Sequence, residues 1–438
     1  MKLTAQLGIL SAANIGIAFL FQLCVLSQLG PGPQTDALFA GMTMPQLVLT
    51  VISGSLMHVL VPLFSGAEPA QLKHDSWAML TLVGSVFGVL AVGLYMAAPV
   101  WVPFMVPGFD DAAKELTVTL TRIQLVGMIF TALNGVQWAV YHARHQFIWA
   151  ELGQVAVGLF AIGLLYVSLP RYGIVAAAWI NTARMMLQTL LLSPGMGAPV
   201  LPDLRANAVR AVWGRIRPLL LGTLYYKTDP VVDRFLLSSA NSGSLSLYYL
   251  AQQIYSAANQ VINKAITAPM VPVLSKMYKT GNVFEFFIIY RKNLVMVGVL
   301  SIAGVVLLIA AGQPILRILI GHHNIQNADI AQLWWIMLYL GGMFMGMAMG
   351  QITSSTFYAS GDTVTPVKLS AISYTVYIPT KIVVYSFYGI AGLAIVTSVY
   401  QMVNLLLQMW YLNRRRSSLR DVGATAACNP VLKQGEAK

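Results

Sequence analysis

Long unbroken runs of apolar residues, separated by short polar or glycine- and proline-bearing breaks, run through almost the whole chain. Within each run the apolar positions are continuous rather than alternating, which favours helices over half-buried strands. A helix needs about 20 predominantly apolar residues to cross the bilayer core. Backbone groups in lipid must be satisfied internally, which leaves helices or a closed barrel. The pattern predicts an all-α integral membrane protein with twelve spans, near 5–29, 37–64, 77–105, 117–141, 147–169, 173–193, 218–240, 245–274, 293–312, 331–357, 366–386 and 388–412.

Twelve spans place both termini on one side, and the connections say which. With the N-terminus inside, the inner segments hold Lys2, Lys73, Arg144, Arg205, Arg210, Arg215, Arg217, Lys276, Lys279, Arg291, Lys292, Lys368, Arg414, Arg415, Arg416 and Arg420. The outer connections hold only Lys114, Arg171 and Arg317, beside Asp110, Asp111, Glu115 and Asp329. Cytoplasmic loops carry the excess of Lys and Arg, so both termini are expected in the cytoplasm. The one long inner connection starts with Pro194, Gly195, Gly197, Pro199 and Pro202 and turns basic toward Arg217. It suits a short helix on the anionic inner leaflet.

That connection lies near the midpoint, and a faint repeat runs across it. Val61-Pro62 matches Val271-Pro272, Tyr141 matches Tyr358, and Tyr172-Gly173-Ile174 matches Tyr388-Gly389-Ile390, at offsets of 210, 217 and 216 residues. Six spans per half is an even number, so the halves are oriented alike, as parallel repeats of secondary transporters are. The expected organisation is an N-terminal bundle over 1–193, a basic linker over 194–217, a C-terminal bundle over 218–413 and a basic tail over 414–438.

Composition narrows the class. Hydrophobic residues make up 57% of the chain and charged residues 10%, against roughly 25% charged in soluble domains. The net charge of +12 is accounted for by the basic inner loops, and no nucleic-acid partner is expected. Cys24 and Cys428 provide neither a disulfide framework nor metal spacing. The apolar run after Lys2 is too long for a signal peptide's h-region and reads as the first span.

Ionisable residues at bilayer depth are costly and mark functional sites by default. Those expected deep are Arg184, Lys227, Asp229, Asp233, Arg234, Lys264 and Lys381, with Arg122 shallower and Glu151 near an inner end. In the seventh span, at about 100° per residue, Lys227 and Arg234 share one face and Asp229 and Asp233 a roughly opposite one. Pro230 frees the carbonyl of Tyr226 and predicts a kink there. Two readings stay open: a charged cavity wall, or ion pairs holding this helix to its neighbours. Five deep basic residues against two acids leave a positive surplus, which favours an anionic substrate such as a diphosphate over an organic cation.

Other features have simpler explanations. Gly342, Gly346 and Gly350 have the spacing of close helix packing, and the methionines between them suit adaptable filling. His142 and His145 flank Arg144 in a loop, and His322-His323 lack further ligands, so no metal is expected. Asp36 after Thr35 reads as a helix cap. With no phosphate-binding glycine loop and no catalytic constellation, the chain reads as a transporter rather than an enzyme.

Three stretches together resemble the flippase branch of the multidrug/oligosaccharidyl-lipid/polysaccharide exporter superfamily, which holds the lipid II flippases and polysaccharide exporters. They are Thr35-Asp36-Ala37-Leu38-Phe39 through Pro45 to Val61-Pro62-Leu63; Asp233-Arg234 through Gly243-Ser244-Leu245 and Tyr248-Tyr249 to Val271-Pro272-Val273-Leu274-Ser275; and Phe357-Tyr358-Ala359-Ser360-Gly361-Asp362-Thr363 with Thr365-Pro366. The resemblance implies two six-helix bundles, a cationic central cavity, alternating access and an undecaprenyl-diphosphate-linked glycan as cargo in the bacterial inner membrane. It makes Asp36 a candidate functional residue.

The chain differs from lipid II flippases in having Gln22, Ser27 and Gln28 in the first span and Leu49-Thr50 after Pro45, where that family carries arginines. It also has twelve spans where that family usually has fourteen. Lipid II and an O-antigen, capsule or exopolysaccharide unit therefore both remain as cargo. On this reading Lys227, Arg234, Lys264, Arg184 and Lys381 bind the diphosphate and acidic sugars. Asp229 and Asp233 tune the site or couple it to a proton, sodium or membrane-potential gradient, no cofactor is needed, and an envelope polymerase or glycosyltransferase is a partner. The alternative is a cation-coupled multidrug antiporter of the same superfamily.

Overall fold

The computed structural model describes residues 2–65, 68–200, 224–321 and 324–428. The basic part of the linker with Arg205, Arg210, Arg215 and Arg217, the start of the seventh span, and His322-His323 lie outside the described residues. The described chain is helical: α1 (Lys2–Leu29), α2 (Pro33–Phe64), α3 (Pro69–Met105), α4 (Asp111–Ala143), α5 (Phe147–Leu192), α6 (Asp229–Leu237), α7 (Ser244–Ile262), α8 (Ala268–Lys279), α9 (Val283–Ile320), α10 (Asn327–Tyr339), α11 (Gly341–Ala359) and α12 (Val364–Cys428). Among the described residues, seven helices are long and apolar enough to cross a membrane, or eight if α10 and α11, which meet at 44°, form one broken span.

Two helices are too long for one crossing. At 1.5 Å per residue the 46 residues of α5 would reach about 69 Å, roughly twice the bilayer core. Each long helix breaks at a glycine: Gly173 in α5 (φ 64°, ψ −160°) and Gly389 in α12 (φ 56°, ψ −138°). Glycine takes positive φ without steric cost, so the chain kinks there with no loop. These are the glycines of the two matching Tyr-Gly-Ile triplets.

The chain forms two compact units, Met1–Gln253 with Pro314–Leu333, and Ile254–Gln313 with Trp334–Lys438. In the first, α2, α3 and α4 bury Leu60, Phe64, Met79, Phe87, Leu125, Met128 and Val136 together. Lipid supplies no hydrophobic drive between helices, so close approach and interhelical hydrogen bonds do this work. Gln124 Nε2 donates to the Leu38 carbonyl (3.3 Å), Gln137 Nε2 to the Thr189 carbonyl (3.0 Å) and Thr182 Oγ1 to the Ile123 carbonyl (3.1 Å). In the second, Met270, Leu274, Phe286, Phe287, Tyr290, Ile352, Phe357 and Leu412 form the core. Large apolar residues such as Val89, Met96, Phe104, Phe160, Ile309, Val376 and Phe387 are exposed; in a chain of this class they face acyl chains.

A π-helical turn, Asn263–Thr267, joins α7 to α8. Its cause is local: Pro269 has no N–H for the Ala265 carbonyl, and its ring crowds that group, so the helix widens.

The Gly-Asp-x-x-Thr-Pro stretch is the cap of α12. Asp362 accepts from the Thr365 N–H (3.0 Å) and hydroxyl (2.7 Å) and from the Val364 N–H (3.2 Å), while Arg415 Nη1 sits 2.6 Å from its Oδ2. Partial burial pushes the Asp362 carboxyl up, but these hydrogen bonds and the Arg415 charge outweigh it and hold it below its ordinary value. A carboxylate depressed on folding adds stability above its unfolded value, about 3.9, and loses it as pH falls through the lower folded one. The thermal stability gap between wild type and Asp362→Asn in detergent is therefore expected to be full at pH 6 and to shrink below about pH 4. A gap independent of pH would rule out the charge as its source.

Candidate functional site

The site begins at the first turn of α2. Thr35 Oγ1 receives the Gly32 N–H at 3.0 Å, closing that turn. Asp36, buried beside it, does not cap its own helix as the sequence suggests. Its Oδ2 accepts from the Gly243 N–H and its Oδ1 from the Ser246 N–H, both at 2.7 Å, and Ser246 Oγ also donates to Oδ1. Asp36 thus caps α7, about two hundred residues later in the chain, where unpaired N–H groups and the helix dipole favour an anion. Gly243 is at φ +86°, and a Cβ there would lie 2.9 Å from the Pro31 carbonyl carbon, so only glycine lets the starts of α2 and α7 approach this closely.

The clasp fixes α7 against α2, and Tyr249, one turn into α7, stacks on Phe39 with centroids 4.5 Å apart. Gln46 Nε2 donates to the Tyr249 hydroxyl at 3.3 Å, with Gln22 Nε2 at 3.5 Å. The Arg234 guanidinium lies 5.0 Å from the Tyr249 ring centroid, and its Nε donates to Thr43 Oγ1 at 3.2 Å. Arg234 is 2% exposed, and its Nη1 has no hydrogen-bond partner among the described residues. Asp36 lies within electrostatic reach of Arg234 but spends its oxygens on α7. A buried guanidinium with an unused donor is costly, and an oxyanion would relieve that cost.

The other expected residues are placed differently. Asp233 is buried and accepts from Gln252 Nε2 at 3.2 Å. Lys227 is exposed. The helix is interrupted at Thr228, where Pro230 predicts a kink, and α6 restarts at Asp229 with Pro230 in its first turn. Asp229 is half-buried in that turn. In the second unit, Lys381 is fully buried with Nζ 4.9 Å from the Tyr377 ring, which itself stacks on Tyr400 at 4.2 Å. Lys264 is exposed on the π-turn. Beside that turn a cavity of about 170 Å³ is lined by Ser256, Asn259, Gln260, Asn263, Thr267 and Gln351. Arg184 lines another cavity, in the first unit, that none of the residues around Arg234 touches. Thr43, Gln46 and Ser246 escape the sequence reading, since uncharged residues in apolar runs carry no signal; Tyr249 lies in the quoted Tyr248-Tyr249 pair.

A family model described as lipid II flippase MurJ matches residues 25–429. The chain belongs to that family. The probable lipid II flippase MurJ of Rhizobium tropici is 23% identical over 450 residues, covering 95% of this chain and 82% of that protein. The lipid II flippase MurJ of Burkholderia cenocepacia is 23% identical over 409 residues, covering 88% and 78%. Among solved structures, a lipid II flippase MurJ in an inward closed conformation superposes with a TM-score of 0.79 at 16% identity, covering 100% of this chain and 94% of that one. An inward-facing MATE family multidrug transporter of the MOP superfamily also reaches 0.79 at 16% identity, covering 94% and 96%. At that identity the likeness is one of fold: an all-helical membrane transporter fold shared by MurJ and MATE proteins. The quoted Thr-Asp and Gly-Ser-Leu stretches of this MurJ-family chain are the two sides of the Asp36 clasp.

Proposed function

We propose that this MurJ-family protein is a flippase that moves a polyprenyl-diphosphate-linked sugar, lipid II or a related undecaprenyl-linked glycan, across the bacterial inner membrane. The product feeds peptidoglycan or another envelope polysaccharide, and an envelope polymerase or glycosyltransferase takes it up. Arg234 carries the reading: a buried, oriented guanidinium with a free donor suits a phosphate oxygen, and family membership supplies the cargo class. Lys264 and Lys381, in the second unit, are further candidates for contact with the acidic cargo, and Lys227 adds little to Arg234. The amide-lined cavity beside Lys264 has the paired donors and acceptors that sugar hydroxyls need.

Twelve crossings, six per half about the linker, agree with the matching glycine breaks 216 residues apart. Both termini then lie in the cytoplasm, and Asp229 and Asp233 are our candidates for coupling movement to a proton, sodium or membrane-potential gradient. The antiporter alternative draws only on the MATE likeness of fold.

Native mass spectrometry of the full chain in detergent, against polyprenyl-diphosphate sugars and cationic drugs, tests this. Wild type is expected to retain the diphosphates. Arg234→Gln is expected to weaken retention by about tenfold to a hundredfold, since a charge-assisted hydrogen bond contributes about 1.5–3 kcal/mol. Adding Lys227→Ala should cost little more. Retention of the cations alone would give first place to the antiporter.

A further inference from the structure

Arg184 sits in the middle of the second half of α5, in a stretch of membrane-spanning length. It faces an open cavity of about 380 Å³ lined by residues of α1, α4 and α5 within the first unit. The guanidinium is held from two sides: Nη2 donates to Asn181 Oδ1 at 3.0 Å, and its carbon lies 5.3 Å from the Phe21 ring centroid. Its Nε is buried with no hydrogen-bond partner among the described residues. The cavity is also lined by Asn14, Asn134, Trp138, Gln154 and Gln188, and Trp138 Nε1 is a second buried donor without a partner. The buried carboxylate beside the cavity, Glu151 on α5, accepts from Ser11 Oγ at 2.7 Å and from Nδ2 of Asn14, itself a lining residue.

Two buried donors, one of them carrying a fixed positive charge, stand against one unpartnered buried acceptor, Asn134 Oδ1, and no carboxylate among the described residues is paired to Arg184. A guanidinium in that setting is stabilised by an oxyanion that accepts two of its N–H groups at once. Water can fill the space but cannot neutralise the charge, and a partly buried ionised group is costly without a counter-charge. The Trp138 indole supplies a neutral donor for a remaining oxygen, while the Asn14 and Asn134 amide donors are engaged by Glu151 and by the Met185 carbonyl.

We propose that the Arg184 cavity is a second anion site, which takes a phosphate or carboxylate group through a forked contact to Arg184. The same chemistry is offered by a free oxyanion and by the headgroup of an acidic membrane lipid.

Trp138 supplies the reporter. Full-length protein in a neutral detergent is titrated with inorganic phosphate and, separately, with short-chain phosphatidylglycerol. The fluorescence change is read as the difference between wild type and Trp138→Phe. A saturable change is expected with at least one probe, weakened at least about tenfold in Arg184→Gln. A response to phosphate assigns a free oxyanion as ligand, and a response to the lipid alone assigns a headgroup. No response to either probe, or one equally strong in Arg184→Gln, overturns the site. Arg184→Lys carries the same test if the glutamine variant does not fold: it keeps the charge but loses the fork, and unchanged affinity overturns the proposal. The cargo test on Arg234 is read out separately, so failure of either reading leaves the other standing.

Discussion

Asp36→Ala is expected to destabilise the protein by about 3 kcal/mol or more and to abolish cargo retention. The carboxylate is 3% exposed and takes the Gly243 and Ser246 N–H groups and the Ser246 hydroxyl. Removing it leaves those donors buried and unmatched, and hydrogen bonds to a charged acceptor contribute about 1.5–3 kcal/mol each. Losing a helix N-cap alone costs about 0.5–2 kcal/mol. The functional loss follows from geometry. Asp36 sets the start of α7, α7 carries Tyr249, and Tyr249 is the surface on which Arg234 lies. Asp36→Asn should fall between, because one amide oxygen can still accept while the NH₂ group confronts a backbone donor. Thermal unfolding in detergent measures the first effect, and amide hydrogen exchange at residues 243–246 localises it. Wild-type melting and unchanged exchange in Asp36→Ala would show that the clasp holds nothing.

The sequence speaks clearly about composition along the chain and poorly about partners across it. Apolar runs of spanning length recur in the structure as α1 to α5, α9 and α12, because lipid solubility is a property each helix has alone. The Tyr-Gly-Ile triplets mark turns between spans in the sequence. In the structure they are breaks inside continuous helices, since a single residue at positive φ suffices where a loop is expected. Pro230 predicts the kink at Tyr226, and the helix is interrupted at Thr228; what helical spacing does not predict is that Lys227 is exposed on one side of the interruption and Arg234 buried on the other. Asp36 reads as a local cap because Thr35 and the start of α2 adjoin it, whereas Gly243 and Ser246 are more than two hundred positions away. Arg184 belongs among the deep basic residues by depth, but depth does not say which wall of a bundle a residue lines.

Gly346→Val is expected to be the most damaging single change in the second unit, costing about 3 kcal/mol or more. The three glycines at four-residue spacing look equivalent in sequence and are not. A Cβ on Gly346 would lie 2.7 Å from the backbone carbonyl carbon of Gln401 and 2.8 Å from its oxygen, and helical backbone in mid-membrane cannot retreat. A Cβ on Gly342 meets the Ser398 Cβ at 2.9 Å, while one on Gly350 meets nothing within 4 Å. Gly342→Ala should therefore cost about 1 kcal/mol, mostly by disturbing the contact of Ser398 Oγ with the Met343 N–H. Gly350→Ala should be neutral or slightly stabilising, because alanine is the better helix former by about 1 kcal/mol. The yield of monodisperse protein after detergent extraction, with its melting temperature, ranks the three. Equal tolerance at 346 and 350 would mean that α11 does not approach α12 at Gln401. The expected order reflects what holds helices together in lipid: with no water to expel, stability depends on how closely two backbones approach, and Gly346 is where α11 and α12 come closest among these three positions.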